Sequence, residues 1–107
     1  MEAEGLLQVP FTPDDCASNY QMFYLVLPDA ETRAGLLAHL KAAGIHAVFH
    51  YVPLHTSPMG AKFGYQPGDL PVTEDLAERL VRLPFYHELA EAEQLDVVGA
   101  VAEFLRR

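Results

Sequence analysis

The chain is poor in the residues that would tie it to several common protein classes. Across 107 residues it carries one cysteine, Cys16, so no internal disulfide can form, and the sequence fits a reducing, cytoplasmic compartment. Cys16 has no basic neighbour in sequence to lower its thiol pKa, which marks it as incidental rather than nucleophilic. Positive charge is scarce: seven Lys and Arg stand against fifteen Asp and Glu, a net charge of −8. That balance excludes the basic footprint of a nucleic-acid binder and disfavours docking on an anionic membrane. No stretch approaches the ~20 apolar residues of a spanning helix. The opening Met-Glu-Ala-Glu is acidic, unlike a signal peptide. No phosphate-cradling glycine loop of the GxGxxG or GxxxxGK[ST] type is present, and no repeat or low-complexity segment.

With 50% hydrophobic residues and a mean hydropathy of +0.06, the sequence can bury a core and reads as one soluble globular domain. Residues 1–18, with Pro10, Pro13, Asp14 and Asp15, read as a connecting segment that Phe11 could pin to the domain, and residues 19–107 as the domain proper. Tyr20 to Leu27 is expected to be the first strand. Its two alternating sets, Tyr20, Met22, Tyr24 and Val26 against Phe23, Leu25 and Leu27, are both apolar, so both faces should be covered. In so short a chain, one covering layer could come from outside it.

Asp29 is a favourable N-cap for a helix whose Leu36, Leu37, Leu40 and Ala43 share a face, and Gly44 supplies the C-terminal stop. A second strand is expected from Ile45 to Tyr51, ended by Pro53, which cannot donate to a ladder. Residues 52–72, rich in Pro and Gly, read as a long functional loop. Thr73 should cap a short helix ending at Pro84, with Leu76, Leu80 and Leu83 inward. Arg79 and Arg82 could bind a carboxylate or phosphate, but Asp75 and Glu78, each four residues earlier, favour solvated ion pairs. Leu83-Pro84-Phe85 should form a short strand inserted antiparallel between the two longer ones. A last helix from about Ala92 to Arg106 should bury Leu95, Val98, Val101, Ala102 and Leu105, with Gly99 costing it ~1 kcal/mol relative to Ala. The expected fold class is α/β, more specifically a two-layer α+β arrangement: a small mixed sheet of about three strands with helices mainly on one face.

The chemistry-bearing residues cluster at the end of the second strand. His50 and His55 flank Tyr51 and Pro53, at a strand end and in the loop after it. From the residues alone, His50 reads as a satisfied core histidine and His55 as a loop residue. A metal would need further ligands, and His46, Asp69 and Cys16 have no fixed spacing to them. Asn19, Tyr20, Gln21 and Tyr24 read as an ordinary turn and strand start.

These stretches also carry a resemblance. Ala47-Val48-Phe49-His50-Tyr51-Val52-Pro53-Leu54-His55, followed by Ser57-Pro58, Gly60 and Phe63-Gly64, resembles the C-terminal domain of the DegT/DnrJ/EryC1/StrS sugar aminotransferases. Asn19 to Tyr24, Lys41 to Ile45, and Thr73-Glu74 with Arg79-Leu80 and Arg82 to Tyr86 agree in the same order. The resemblance spans about residues 16 to 107 and is most similar to the dTDP-4-amino-4,6-dideoxygalactose transaminase branch. It implies the small domain of a fold type I enzyme that uses pyridoxal phosphate (PLP) and glutamate to aminate a dTDP-4-keto-6-deoxyhexose. It further implies that His50, Tyr51, His55, Asn19, Tyr20, Gln21 and Tyr24 border the nucleotide-sugar substrate. The family commonly has a histidine where Gln21 stands, and an amide cannot titrate near neutral pH.

The lysine that forms the Schiff base lies in the family's preceding large domain. Neither Lys41 nor Lys62 matches its motif, so no PLP is expected on this chain alone, and the chain is expected to be inactive by itself. The implied partners are that N-terminal large domain and a second copy in a homodimer, or self-association through an exposed apolar face. A different class remains open: a stand-alone binding or oligomerisation module with a split βαβ fold. The Met1 start fits either a short gene product or an expressed domain.

Overall fold

One two-stranded ladder, a single bridge on either side of it and two capped helices set the architecture of the computed structural model, which describes residues 1–107. In chain order the elements are β1 (Tyr24–Val26), α1 (Ala30–Ala42), a 3₁₀ turn (Leu54–Thr56), α2 (Pro58–Lys62), α3 (Pro71–Arg79), β2 (Leu80–Arg82) and α4 (Glu91–Leu105). β1 and β2 pair antiparallel with Tyr24 opposite Arg82, Leu25 opposite Val81 and Val26 opposite Leu80. Single antiparallel bridges extend the sheet on both sides, from Gln8 to Val26 and from Val48 to Arg82. β2 therefore lies between β1 and the Val48 segment and runs against both, as the inserted strand was expected to do.

The elements are shorter than the sequence suggests. The Tyr20–Leu27 strand contracts to three residues and the Ile45–Tyr51 strand to one bridge. The inserted strand is Leu80–Arg82 rather than Leu83–Phe85. α3 begins at Pro71, with Leu70 at its N-cap and no side-chain cap, so Thr73 does not cap it. Proline is well suited to a first helical position, where its missing N–H is not needed. The helix stops at Arg79, short of Pro84, because Leu80 turns extended and enters the sheet. The expected loop over 52–72 contains the 3₁₀ turn and α2.

α1 is built as its sequence dictates. The Asp29 side chain accepts the Thr32 N–H at 2.7 Å. At the other end Gly44 adopts φ +77, Ile45 N–H reaches back to the Leu40 carbonyl at 2.8 Å and Gly44 N–H to Lys41 at 3.0 Å. This 6→1 and 5→2 pair is the Schellman stop, for which a left-handed residue is required.

That cap gives a pH prediction. The Thr32 N–H bond holds the Asp29 carboxyl below its ordinary value. Its stabilisation is complete above the unfolded value near about pH 4 and is lost as pH falls through the folded value. Glu4, hydrogen-bonded to Arg106 and the N-terminal ammonium, titrates at about 2. Asp29→Asn keeps a capping side chain but cannot titrate. Thermal melts between about pH 2 and 6 should show the upper part of the acid limb flattened in this variant. An acid limb identical to the parent would contradict the capping role.

Register puts Leu25, Leu27 and Val81 on one sheet face, and the helices cover that face. They form the core with Leu7, Leu36, Leu40 and Val101. Leu7 thus joins the body of the fold, while Phe11, the expected pin, is 82% exposed. α4 buries Val97 and Val101 and packs Ala100, Phe104 and Leu105 against the core. Leu95 and Val98, expected inside, are 63% and 47% exposed.

The chain leaves much apolar surface in water. Its accessible surface is 7757 Å², against about 6,000 Å² for a free-standing monomer of this mass. Its radius of gyration is 15.6 Å, against about 13 Å for a compact domain of this length. Phe23, Phe85, Tyr86, Leu95 and Val98 all stand at least 42% exposed. No helix is long and apolar enough to cross a membrane.

Candidate functional site

The chain passes Val48 and then turns sharply away from the sheet. Val48 and Arg82 exchange both backbone hydrogen bonds, at 3.1 and 2.7 Å, which fixes the approach. Three residues on, Tyr51 adopts φ +50. A left-handed tyrosine is a costly conformation that the surroundings must hold in place. The turn sets the His50 and Tyr51 rings edge to face at 5.3 Å and places the Tyr51 ring 5.3 Å from the Arg82 guanidinium carbon. His50 is half-buried and Tyr51 exposed. Nδ1 of His50 and Nε of Arg82 are both buried without a hydrogen-bond partner.

Tyr24 lies opposite Arg82 from the other side, so Tyr24, Arg82 and Val48 form one row across the sheet face that no core helix covers. His50, Tyr51 and Tyr24 are thereby gathered around Arg82. Asn19, Tyr20 and Gln21 are not part of this row. They are exposed and form a turn of their own, in which Asn19 Oδ1 accepts the Gln21 N–H at 3.2 Å and Ser18 Oγ accepts the Tyr20 N–H at 3.1 Å. Tyr20 takes φ +52 there.

His55 is placed differently again. It is only 6% exposed, inside the 3₁₀ turn, with Nε2 3.6 Å from Glu74 Oε1 and no hydrogen-bond partner. Glu74 in turn accepts the Gly68 N–H at 2.8 Å. Ser57 caps α2, accepting the Gly60 N–H at 3.1 Å and donating to the Leu54 carbonyl at 2.6 Å. His55 is thus walled into the base of the loop, where it packs α2 and α3 together.

From its sequence context Arg82 reads as a candidate carboxylate or phosphate ligand, with the solvated pair favoured instead. Glu78, four residues earlier, made it look like half of a solvated helical ion pair, but the helix ends at Arg79 and no such pair forms. The Asp75–Arg79 pair does form, at 2.7 Å. The usable signal was Leu80-Val81 directly before Arg82: two apolar residues at the end of a short helix, one of them β-branched, suit a strand. No three His, Cys, Asp or Glu side chains converge on a possible metal position.

This short antiparallel sheet backed by helices matches part of an aminotransferase fold. An aminotransferase of the DegT/DnrJ/EryC1/StrS type from Brucella abortus superposes with a TM-score of 0.80 at 33% identity, covering 97% of this chain and 27% of the Brucella chain. Spr1654 of Streptococcus pneumoniae, a proposed sugar aminotransferase solved in its PMP form, gives 0.85 at 17% identity over 94% of this chain and 26% of its own, a likeness of fold alone. The DegT/DnrJ/EryC1/StrS aminotransferase family model matches residues 1–102, and the chain belongs to that family. It is also 40% identical over 106 residues, 98% of its length, to a protein of Geobacillus stearothermophilus named pleiotropic regulatory protein. The chain spans 28% of that relative's length.

The family is PLP-dependent. The residues present do not fit the lysine side of such a site. Lys41 and Lys62 both stand exposed in the last turns of α1 and α2. No chemical step through the cofactor is therefore assigned to this chain.

Proposed function

We propose that the chain serves as the C-terminal small domain of a nucleotide-sugar aminotransferase, closing one wall of a cleft whose cofactor lysine is carried by a large domain. The observation that carries this reading is the left-handed Tyr51 turn, which presents His50 and Tyr51 beside Arg82 at an open sheet edge. His50 Nδ1 has no partner within the chain and is free to hydrogen-bond a substrate hydroxyl. In the complete enzyme, PLP held by the large domain would supply the transamination chemistry, with glutamate and a dTDP-4-keto-6-deoxyhexose giving 2-oxoglutarate and the dTDP-linked 4-amino-4,6-dideoxygalactose. Dimerisation, with the cleft at the subunit interface, belongs to the same reading. Asn19, Tyr20 and Gln21 contribute, on this reading, from the rim of the cleft, and His55 by holding the loop.

The test mixes this chain with the separately expressed large domain of a relative, PLP, glutamate and the dTDP-4-keto-6-deoxyhexose, and follows aminosugar formation. Activity should appear only in the mixture and should fall about 100-fold in His50→Ala, in line with loss of a positioned acid–base or hydrogen-bonding side chain. Activity of the chain alone would contradict the reading.

A second reading is favoured by the exposed Phe23, Phe85, Leu95 and Val98: a stand-alone module that pairs with itself through this apolar side.

A further inference from the structure

Four of the five arginines have their guanidinium groups engaged. Arg33 donates to the Ala77 carbonyl at 3.4 Å, and Arg79 to Asp75 and to the Leu27 carbonyl at 2.9 Å. Arg106 pairs with Glu4 at 2.9 Å, and Arg107 lies 3.9 Å from Glu103. Arg82 has neither a carboxylate nor a carbonyl, in a chain where acidic side chains outnumber Lys and Arg fifteen to seven. Glu74 and Glu78 line a neighbouring groove with Tyr51, yet neither pairs with it. Its Nε is buried without an acceptor, a state that costs free energy until an acceptor arrives.

The surroundings hold Arg82 ready. Its backbone is fixed on one side by Tyr24 and on the other by Val48. The Tyr51 ring braces the guanidinium, and that ring is itself held by a strained backbone. Beside Tyr51, the His50 ring offers a second unpartnered nitrogen, Nδ1. A planar guanidinium with free donors matches a carboxylate or phosphate in bidentate fashion.

We propose that Arg82 is an oxyanion-binding residue of this cleft, taking a carboxylate or phosphate group of a substrate, with Tyr51 as its brace and His50 as a neighbouring donor. The proposal rests on the reading above and names the charged group that this wall would hold. Two sources share the chemistry: the pyrophosphate of the nucleotide sugar and a carboxylate of the amino donor.

The first test follows the Arg82 Nε–H resonance of the ¹⁵N-labelled chain while dTDP, L-glutamate or sodium chloride is added at matched ionic strength. A saturable shift is expected with dTDP or with glutamate but not with chloride, and the arm that responds assigns the source. Accompanying backbone shifts at residues 48–51 should vanish in Arg82→Gln. A response equal to that of chloride in both arms would count against the site.

The second test uses the reconstituted enzyme. Arg82→Lys keeps the charge but loses the fork, and should raise KM for one substrate by about tenfold to a hundredfold with kcat little changed. An active mixture in which neither KM moves would overturn the proposal and leave the aminotransferase reading standing. An inactive parent mixture would count against that reading, while the resonance titration still decides on the anion site.

Discussion

Leu36→Ala is expected to remove about 2–5 kcal/mol of unfolding free energy, a large share of the stability of a chain this size. Leu36 is fully buried in a core of only seven residues. It sits on α1, the helix that contacts α3, α4 and β2, so a cavity there loosens several contacts at once. Domains of about 100 residues hold roughly 5–15 kcal/mol in total. One with so much exposed apolar surface belongs at the low end of that range, where such a loss populates the unfolded state. Urea unfolding followed by far-UV circular dichroism measures it. Leu95→Ala on α4 provides the contrast: its side chain is 63% exposed, and the change should be nearly neutral in the isolated chain. A Leu36→Ala loss below about 1 kcal/mol would mean that the site collapses freely, against the close packing described here.

Gly60→Ala is the second large effect. A Cβ at this position would meet the Leu54 carbonyl oxygen and lie 2.7 Å from the His55 carbonyl oxygen. These are backbone atoms of the 3₁₀ turn and cannot swing aside as a side-chain end does. α2 must therefore lift away from the turn, opening the wall around His55 and breaking the Ser57 cap. The expected destabilisation is about 1–3 kcal/mol, the range for overpacking a tight contact. In the reconstituted enzyme the displaced loop should also weaken substrate binding, because it begins at Tyr51. Proteolysis of residues 52–70, faster in the variant than in the parent, reads the local opening directly. Unchanged melting and unchanged cleavage would contradict the tight seat assigned to Gly60.

Some of this architecture was legible in the sequence because it depends on local chemistry. Asp29 and Gly44 bracket α1 through bonds made within a few residues, and those signals do not depend on what packs outside. The inserted antiparallel strand was likewise visible as an apolar run between two helices, displaced by three residues. Strand lengths were not legible. Tyr20–Leu27 and Ile45–Tyr51 have strong β composition, but strand formation depends on neighbours: the first has a three-residue partner and one bridge, the second one bridge alone. The inward face of α4 was misread for a related reason: Leu95, Val98 and Val101 share a plausible stripe, yet the chain covers only the Val97–Val101–Phe104 side. Arg82 was read as half of a solvated pair rather than as an anion ligand because Glu78 belongs to a helix that ends before reaching it. His50 and Tyr51 were found through an ordered motif rather than through spacing, and the strain at Tyr51 had no sequence signal at all.

On the proposed function, the open apolar side of this domain packs against the rest of an aminotransferase. Sedimentation of the chain alone and mixed with the large domain of a relative, combined with hydrogen exchange, tests it most directly. The expected result is a one-to-one complex with new protection around Phe23, Phe85 and residues 94–98, and little defined self-association of the chain alone. A sharp homodimer that protects the same residues and takes up no large domain would contradict the claim and favour the stand-alone module.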